Sequence, residues 1–416
     1  MPSIDTVIIG AGQAGLAASR LLSEAHREHV VIERGRVGER WLSSTWDSLR
    51  LLTPNWMTRL PYWQYRGTQP DAYMAAAEVA RFLAAYGQAF DAPILTGTTV
   101  HHLGYGGRGF EVATSRGGWN ADNVVIATGW SDLPAIPRLA ARLDPSIEQL
   151  APANYRNPAE LADGAVLIVG ASATGVQLAD ELSRAGRKVY LAVGGHTRMP
   201  RRYRGKDIFW WLDQVGALDR TVDEMHSGAA ARHEPSLQLV GRTDRTIDLI
   251  TLAASGVTLT GRLTSLDGPI AIFADDLNTT MLRADQRLQR VLARIDAYIA
   301  ARDLTDTVLA PEYINPSTPI EAPRCIDLRR AGVSTVIWAT GHRRTYPWLH
   351  LPALDSNGEL AHRYGVTPIP GLYVLGQRFQ RTRRSNFLDG VGADAVAVTD
   401  HLLARTREYQ PISLRG

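Results

Sequence analysis

The first thirty-odd residues constrain the fold of this chain most strongly. An apolar run at residues 5–9 leads into Gly10-Ala11-Gly12-Gln13-Ala14-Gly15, then into a helical pattern and a second apolar run that ends at Glu33. The three glycines permit a tight turn, close approach of the backbone to a pyrophosphate and close packing of helix on strand. An acid at the end of the second strand can accept hydrogen bonds from ribose hydroxyls and repels a 2′-phosphate. The pattern predicts a dinucleotide-binding βαβ unit for FAD or NAD.

The same pattern recurs about 160 residues later. Residues 165–169 lead into Gly170-Ala171-Ser172-Ala173-Thr174-Gly175, and the strand pattern that follows ends without an acid. His196, Thr197, Arg198 and Arg201 come shortly afterwards. Hydroxyl, imidazole and guanidinium groups are suited to a 2′-phosphate. The second site is therefore predicted to bind NADPH, with Arg198 as the strongest phosphate ligand, although such an arginine run is also typical of a solvated surface.

The domain organisation follows from length and from a proline-rich stretch. A chain of 416 residues exceeds one ordinary domain. Five prolines between residues 134 and 158 predict a boundary near residue 155. Two apolar runs end in the same three residues, Ala127-Thr128-Gly129 and Ala339-Thr340-Gly341, and the second run predicts that the first domain resumes there.

Composition excludes several classes of protein. The net charge is only +3 and the arginines are scattered, so we expect no nucleic-acid partner. The single cysteine, Cys325, cannot form an internal disulfide. The longest apolar runs are shorter than a membrane span, and the first strand pattern begins too early for a signal peptide. We expect a cytoplasmic enzyme, and we find no spacing typical of a metal site.

Two aromatic stretches have both a binding and a packing interpretation. The connection at residues 35–61 is long and rich in tryptophan, so it could cover a ligand or form an apolar belt under the fold. The run Phe209-Trp210-Trp211-Leu212 could line a substrate site or dock its helix, and docking is favoured. If the tryptophans do line a site, its ligand is apolar or aromatic.

Taken together, the two nucleotide motifs, the segment Gly38-Glu39-Arg40-Trp41 and the two Ala-Thr-Gly strand ends resemble the class B flavoprotein monooxygenases, in particular the bacterial flavin-containing monooxygenase-like proteins. The resemblance implies an α/β fold with two Rossmann-like dinucleotide-binding domains, the NADPH domain inserted in the FAD domain. The expected boundaries are 1–155 for the first part of the FAD domain, 156–330 for the NADPH domain and 331–416 for the second part of the FAD domain.

The resemblance also implies a set of cofactor-binding residues beyond the two glycine motifs and Glu33. These are Arg34, Arg40, Trp41, Trp46, Thr128, Gly129, Thr340, Gly341, Asp389 and Gly390. The family places an asparagine after a threonine near flavin N5. Here Pro54 separates Thr53 from Asn55, and these two are the candidate catalytic residues.

One family signature is mostly missing. When it is anchored on Tyr155, Pro145, Ile147 and Ala151 stand where the family has phenylalanine, glycine and histidine. The family histidine helps to couple domain movement to oxygenation, so this chain is not expected to couple the two steps in that way.

The implied reaction begins when NADPH reduces FAD. O₂ then reacts with the reduced flavin, and one oxygen atom passes to a nitrogen or sulfur atom of a small substrate, or to a ketone in Baeyer–Villiger fashion. The first alternative is a reductase that passes electrons from NADPH through FAD to a quinone or an iron–sulfur protein. The second is a nucleotide-binding protein without turnover. A homodimer is possible on this pattern.

Overall fold

A computed structural model of the chain describes residues 1–107, 109–225, 234–241 and 245–408. Its helices are α1 Gln13–Glu24, α2 Glu39–Ser43, α3 Ala76–Gln88, α4 Ala173–Arg184, α5 Ile208–Gln214, α6 Leu249–Ala254, α7 Leu277–Ala301 and α8 Val391–Glu408.

The strands are short, as expected for a chain in which turns follow closely on apolar runs. The first twelve are β1 Ser3–Ile9, β2 His29–Ile32, β3 Arg59–Leu60, β4 Trp63–Gln64, β5 Ile94–Leu95, β6 Val100–Tyr105, β7 Phe110–Thr114, β8 Gly117–Ile126, β9 Leu133–Pro134, β10 Glu148–Leu150, β11 Ala165–Val169 and β12 Val189–Ala192. The others are β13 Thr197–Arg198, β14 Arg202–Tyr203, β15 Lys206–Asp207, β16 Leu237–Gln238, β17 Thr258–Thr260, β18 Leu263–Asp267, β19 Ile270–Phe273, β20 Cys325–Asp327, β21 Val333–Trp338, β22 His342–Arg343 and β23 Leu372–Val374.

Two parallel sheets are built on one plan. The first runs β5-β2-β1-β8, with β23 parallel to the end of β8 and the antiparallel β7 and β6 beside its beginning. The second runs β10-β21-β11-β12-β17 and is parallel throughout. Each has a β-α-β unit that carries a glycine motif, β1-α1-β2 or β11-α4-β12. The expected α/β fold with two Rossmann-like units is confirmed.

The register shows that the two units are structural repeats. Ile9 pairs with Ile32 and Ile126, whereas Val169 pairs with Ala192 and Trp338. β8 therefore corresponds to β21, and each is followed by Ala-Thr-Gly. The sequence echo marks the same position in two sheets.

This pairing corrects one expectation about the order of the units. β21 was expected to return to the first sheet, but it pairs with β11 in the second. β10 also belongs to the second sheet, although it precedes residue 155. The second sheet thus takes strands from residues 148 to 338, and the first sheet resumes only with β23. The division into an FAD domain and an NADPH domain remains a proposal. The proposed NADPH domain would then begin before residue 148 and end after residue 338.

The chain crosses between the sheets twice, and the two crossings pair with each other. β9 follows β8, β22 follows β21, and the two form an antiparallel ribbon in which His342 lies opposite Pro134. The Ala135 N–H also donates to the carbonyl oxygen of Gly341 at 2.9 Å. We call this pair of segments the linker ribbon.

A third apolar core lies beside the two sheets. Helices α5 and α7 pack there with Met57 and Tyr203. Trp211 is fully buried and donates its indole N–H to the carbonyl oxygen of Tyr203 at 2.6 Å. Burial of Phe209 and Trp211 confirms that the aromatic run docks α5.

Candidate active site

The first glycine motif lies at the carboxyl end of β1, where the backbone leaves no room for a side chain at Gly10 or Gly15. Gly10 has φ +109°, and a Cβ atom there would lie 2.6 Å from the carbonyl oxygen of Ala127. A Cβ atom on Gly15 would collide with the carbonyl oxygen of Gly10. The N-terminus of α1, with its unpaired N–H groups, is therefore held at the turn, which fits the pyrophosphate of a dinucleotide. Gln13 and Ala14 begin the helix, and the Gln13 side chain donates to the carbonyl oxygen of Asn386 at 2.7 Å.

Glu33 stands beside this turn, as the sequence predicts. Its Oε2 accepts a hydrogen bond from the Ala11 N–H at 2.8 Å, and its Oε1 accepts one from the Gly35 N–H at 2.8 Å. Glu33 as a whole is half-buried. This is the position from which an acid bonds ribose hydroxyls in dinucleotide folds.

Arg34 and Arg40 are brought together by a carboxylate that the sequence analysis did not single out. Both pair with Asp132, at 3.4 Å and 2.7 Å respectively. Asp132 immediately precedes β9, so these pairs join the end of β2 and the start of α2 to the linker ribbon.

The second glycine motif reproduces the geometry of the first. Gly170 has φ +108°, and a Cβ atom there would collide with the carbonyl oxygen of Ala339. Gly175 is as close to Gly170 as Gly15 is to Gly10. Ala173 and Thr174 begin α4, and Ser172 donates its hydroxyl to the carbonyl oxygen of Ser236 at 3.0 Å. Gln238, two residues after Ser236, donates its side-chain amide to the carbonyl oxygen of Ala171 at 2.6 Å.

The predicted 2′-phosphate ligands require a correction. Arg198 donates to Asp248 at 2.6 and 2.9 Å and to Asp285 at 2.6 Å, and the residue is 6% exposed. Arg201 is fully buried and makes two hydrogen bonds to Asp207, at 2.5 and 2.6 Å. Both guanidinium groups are therefore parts of internal ion pairs instead of free cations for a phosphate.

The two neighbouring candidates are also turned inward. His196 and Thr197 are buried, and the His196 ring contacts the carbonyl oxygen of Gly194 at 3.1 Å through Nδ1. Burial lowers the pKa of His196 below its ordinary value, so this ring is neutral near pH 7 and offers no positive charge. The feature that remains at the second site is Val193, which occupies the place of Glu33 and carries no carboxylate.

The residues of the two Ala-Thr-Gly segments have different surroundings: some lie beside the glycine turns and others contact the linker ribbon. Gly129 and Gly341 both have positive φ, +76° and +91°. The Thr340 hydroxyl donates to the carbonyl oxygen of Ala135 at 2.7 Å, so Thr340 supports the linker ribbon. Thr128 is half-buried beside the first turn.

The end of β23 is a part of the site that sequence reasoning missed. A Cβ atom on Gly376 would lie 2.7 Å from the Ala14 side chain, so this strand end adjoins the first turn. Gln377 is buried, and its amide nitrogen lies 3.4 Å from the carbonyl oxygen of Gly129. The available signal was the buried run at residues 372–375, which ends in glycine like the other site strands.

Asp389 and Gly390 lie just before α8, but the Asp389 carboxylate is occupied. Arg384 donates to it at 2.6 Å, Arg59 also pairs with it, and its side chain is 1% exposed. Asp389 is therefore an internal ion-pair acceptor in this structure, contrary to the expected contact with a cofactor. Gly390 lies directly against the carbonyl oxygen of Arg384, so it also serves local packing.

The tryptophans of the long connection separate. Trp41 is half-buried against the core of the first sheet. Trp46 packs with Tyr155 in the core of the second sheet, which corrects its expected place at a cofactor. The Asp47 N–H donates to the carbonyl oxygen of Arg156 at 2.9 Å, so the connection crosses to the second unit at this point.

Asn55 lies further along the same connection and carries a buried acceptor. Its N–H donates to the carbonyl oxygen of Ala72 at 2.8 Å, and its Nδ2 donates to that of Gln69 at 2.9 Å. Its Oδ1 has no hydrogen-bond partner among the residues that the structure describes. A buried unpartnered oxygen is costly, and such atoms occur where a ligand completes the set. Thr53 is half-buried two positions earlier.

The fold and these turns define a class: a chain with two Rossmann-type dinucleotide-binding units. The model of the family "Pyridine nucleotide-disulphide oxidoreductase" matches residues 7–212. A CzcO-like oxidoreductase from Geobacillus kaustophilus is 31% identical over 404 residues, which cover 96% of this chain and 98% of that protein. The chain belongs to the family of CzcO-like oxidoreductases.

Solved structures agree with this fold. The flavin-containing monooxygenase from Stenotrophomonas maltophilia is 20% identical, with a TM-score of 0.66 over 98% of this chain and all of that one. The enzyme OTEMO, solved in complex with FAD and NADP, is 15% identical, with a TM-score of 0.56 over 98% of this chain and 87% of its own. The resemblance to flavin monooxygenases is thus confirmed as a likeness of fold.

Membrane-spanning helices and clusters of metal-ligating side chains are both absent from the described ranges of the chain. No helix there is long and apolar enough to cross a membrane. No group of three or more histidine, cysteine, aspartate or glutamate side chains is arranged to hold a metal ion in that part of the chain.

Proposed function

We propose that this enzyme is an FAD- and NADPH-dependent monooxygenase that oxygenates a nitrogen or sulfur atom of a small apolar or aromatic substrate. One observation carries the proposal. The chain has two glycine turns with the same close backbone contacts, and its single cysteine is exposed. Electrons that reach the flavin have no internal disulfide to reduce, because a disulfide needs two cysteines. Molecular oxygen is then the simplest acceptor.

We place FAD at the first turn. Glu33 would bond the ribose hydroxyls of its adenosine half, and the N-terminus of α1 would face the pyrophosphate. FAD supplies hydride acceptance and the reaction with O₂. Gly376 and Gln377, at the end of β23, would form the neighbouring wall of the same site.

We place NADPH at the second turn, where the N-terminus of α4 would face its pyrophosphate. Val193 supports NADPH over NADH, because no carboxylate at the end of β12 would repel a 2′-phosphate. Arg198 and Arg201 are not part of this assignment, since their guanidinium groups are already paired.

Asn55 is the residue that we propose to act at the reacting centre, with Thr53 beside it. Its Oδ1 can accept one hydrogen bond from an N–H or O–H group, and its own N–H and Nδ2 fix its orientation. Asn55 is buried, so its surroundings would keep water away from a reacting centre at this position.

The test is anaerobic reduction of the purified holoenzyme with NADPH and with NADH, followed by mixing with O₂ and a probe substrate. Methyl phenyl sulfide, N,N-dimethylaniline and cyclohexanone are suitable probes, and products and H₂O₂ are measured per NADPH. We expect faster reduction by NADPH and conversion of the sulfide or the amine. Conversion of cyclohexanone alone would replace this chemistry with a Baeyer–Villiger reaction.

The main alternative is a reductase that passes electrons to a quinone or an iron–sulfur protein. It gains some support from Ala151, the small buried residue in the linker where the family has histidine. Rapid reoxidation with full release of H₂O₂, together with faster turnover on an added benzoquinone, would favour this alternative.

A further inference from the structure

We propose that Arg201 and Asp207 are positioning residues that hold the Asn55 segment, residues 50–57, in its active geometry. The inference rests on the role proposed for Asn55. The sequence predicts that Arg201 binds a 2′-phosphate, whereas in the structure it is buried and paired with Asp207. The set of Arg201, Asp207 and Tyr73 is called the clamp below.

The clamp contacts the Asn55 segment directly. Arg201 donates through Nη1 to the carbonyl oxygen of Leu52 at 2.8 Å, three residues before Asn55. Its Nη2 bonds both oxygens of Asp207. A planar guanidinium fixes the directions of these bonds at the same time, which a lysine ammonium would not do.

The clamp reaches Asn55 from a second side through Tyr73. The Tyr73 hydroxyl donates to Asp207 Oδ2 at 2.9 Å, and the Arg201 guanidinium lies 4.6 Å from the Tyr73 ring centre. Residues 72–75 run alongside residues 50–55: the Leu51 N–H donates to the carbonyl oxygen of Met74 at 2.9 Å, and the Asn55 N–H donates to that of Ala72. Both edges of the Asn55 segment are therefore fixed by one ion pair.

Asp207 anchors the clamp in the third core. Its Oδ1 accepts a hydrogen bond from the Phe209 N–H at 2.8 Å and so caps α5. Helix α5 is packed through Trp211, which is fully buried. The position of the Asn55 segment is thus tied to a rigid helix of the third core.

The composition of the clamp favours precision over stability. Burial of a guanidinium and a carboxylate is unfavourable, and apolar residues of similar volume often serve stability as well or better. The Arg201 Nε–H also has no hydrogen-bond partner among the described residues, and the side chain is fully buried. An arrangement of this cost is explained if the orientation of the Leu52 carbonyl and of Asn55 matters for function.

The experiment compares Arg201→Met with Arg198→Met in the holoenzyme. Arg198 is the control, because it is also a buried arginine in an internal ion pair, with Asp248 and Asp285, and none of the hydrogen bonds described for it goes to residues 50–57. Both variants are expected to lose stability. Hydrogen–deuterium exchange of peptides covering residues 50–57 is measured well below the midpoint of unfolding. We expect at least tenfold faster exchange in Arg201→Met and a change below twofold in Arg198→Met.

A functional reading accompanies the exchange measurement and needs no substrate. The enzyme is reduced with NADPH, and the rate of H₂O₂ release after mixing with O₂ is recorded. We expect at least fivefold faster release in Arg201→Met, with the rate of flavin reduction within twofold of the parent. The double variant Arg201→Met/Asn55→Ala should release H₂O₂ no faster than Asn55→Ala alone, because both changes disable the same residue.

The outcomes separate the clamp from the proposed function. Equal exchange of residues 50–57 in the two arginine variants, or additive effects in the double variant, would overturn the clamp. Fast H₂O₂ release by the parent protein would instead contradict the monooxygenase, while exchange still tests the contact itself. If Arg201→Met does not fold, Tyr73→Phe removes only the hydroxyl bond to Asp207 and should raise exchange in the same segment by a smaller factor.

Discussion

The two nucleotide turns share their backbone and differ in the side chains around them. In both turns, the Cβ position of the last glycine lies against the carbonyl oxygen of the first glycine. The Cβ position of the first glycine lies against a carbonyl oxygen just after the neighbouring strand. In the first turn, Glu33 bonds the Ala11 N–H, whereas in the second, Gln238 bonds the carbonyl oxygen of the equivalent Ala171. Sterics therefore determine the turn in both units, and the two turns differ in the polar groups that neighbouring strands bring to them.

The largest expected effect tests the steric half of this comparison. Gly15→Ala and Gly175→Ala each place a methyl group against a carbonyl oxygen, and we expect each to cost about 4 kcal/mol or more of the free energy of unfolding. Gly12→Ala is the control, since nothing lies within 4 Å of its Cβ position and its φ is −84°. Thermal and denaturant unfolding measure all three.

The ligand content of these variants sharpens the comparison. Any Gly15→Ala protein that folds should lose bound FAD, and any Gly175→Ala protein should retain FAD but lose NADP⁺ binding. If Gly15→Ala instead lost NADP⁺ binding and Gly175→Ala lost FAD, FAD would be assigned to the second turn and NADPH to the first.

The next largest effect concerns the internal ion pairs of the second unit. Arg198→Met leaves Asp248 and Asp285 without their cation, which should cost about 3–5 kcal/mol of stability. The Kd for NADP⁺, measured by titration of the folded fraction, should change less than twofold. A tenfold weaker Kd would restore Arg198 to the 2′-phosphate site.

A smaller effect is expected at Glu33. Glu33→Gln weakens two charge-assisted hydrogen bonds at the first turn and removes the acceptor charge at the ribose, each bond contributing about 1.5–3 kcal/mol. We expect FAD affinity to fall about tenfold to a hundredfold, while NADP⁺ binding stays unchanged. The FAD content after dialysis and a titration of the apoprotein provide the measurement.

The smallest effect is a pH dependence. Burial lowers the pKa of His196, so the folded state binds fewer protons at this ring than the unfolded state. Its contribution to stability is complete above the ordinary value of 6.5 and is lost as the pH falls below it. The free energy of unfolding between pH 7.5 and 5.5 should therefore fall less steeply in His196→Gln. An unchanged slope would show that folding does not lower the pKa of His196.

These regions also show how far the sequence predicts the structure. Local sterics determine the glycine turns, so Gly10 to Gly15 and Gly170 to Gly175 could be placed from their spacing alone. The partners of Arg198 lie 50 and 87 residues away along the chain, and no local pattern connects them.

Strand β21, which ends at Trp338, illustrates a different kind of error. The three residues after it are the same as those after β8, so the sequence showed that a structural role was repeated. It did not show in which sheet, because both sheets use that position next to a glycine motif. A similar limit applies to Asn55. Its orientation depends on hydrogen bonds to the carbonyl oxygens of Gln69 and Ala72, and the position of those oxygens is known only from the folded structure.

The linker ribbon brings together the two places where the chain enters and leaves the second unit. Because β9 and β22 are hydrogen-bonded neighbours, the chain enters and leaves the unit about one strand spacing apart, roughly 5 Å. A unit inserted through such adjacent ends behaves as a cassette: it can be lengthened, exchanged or removed without drawing the ends of the host sheet apart. A change in the length of one crossing alone would break the ribbon, whereas replacement of everything between its two strands would leave it intact.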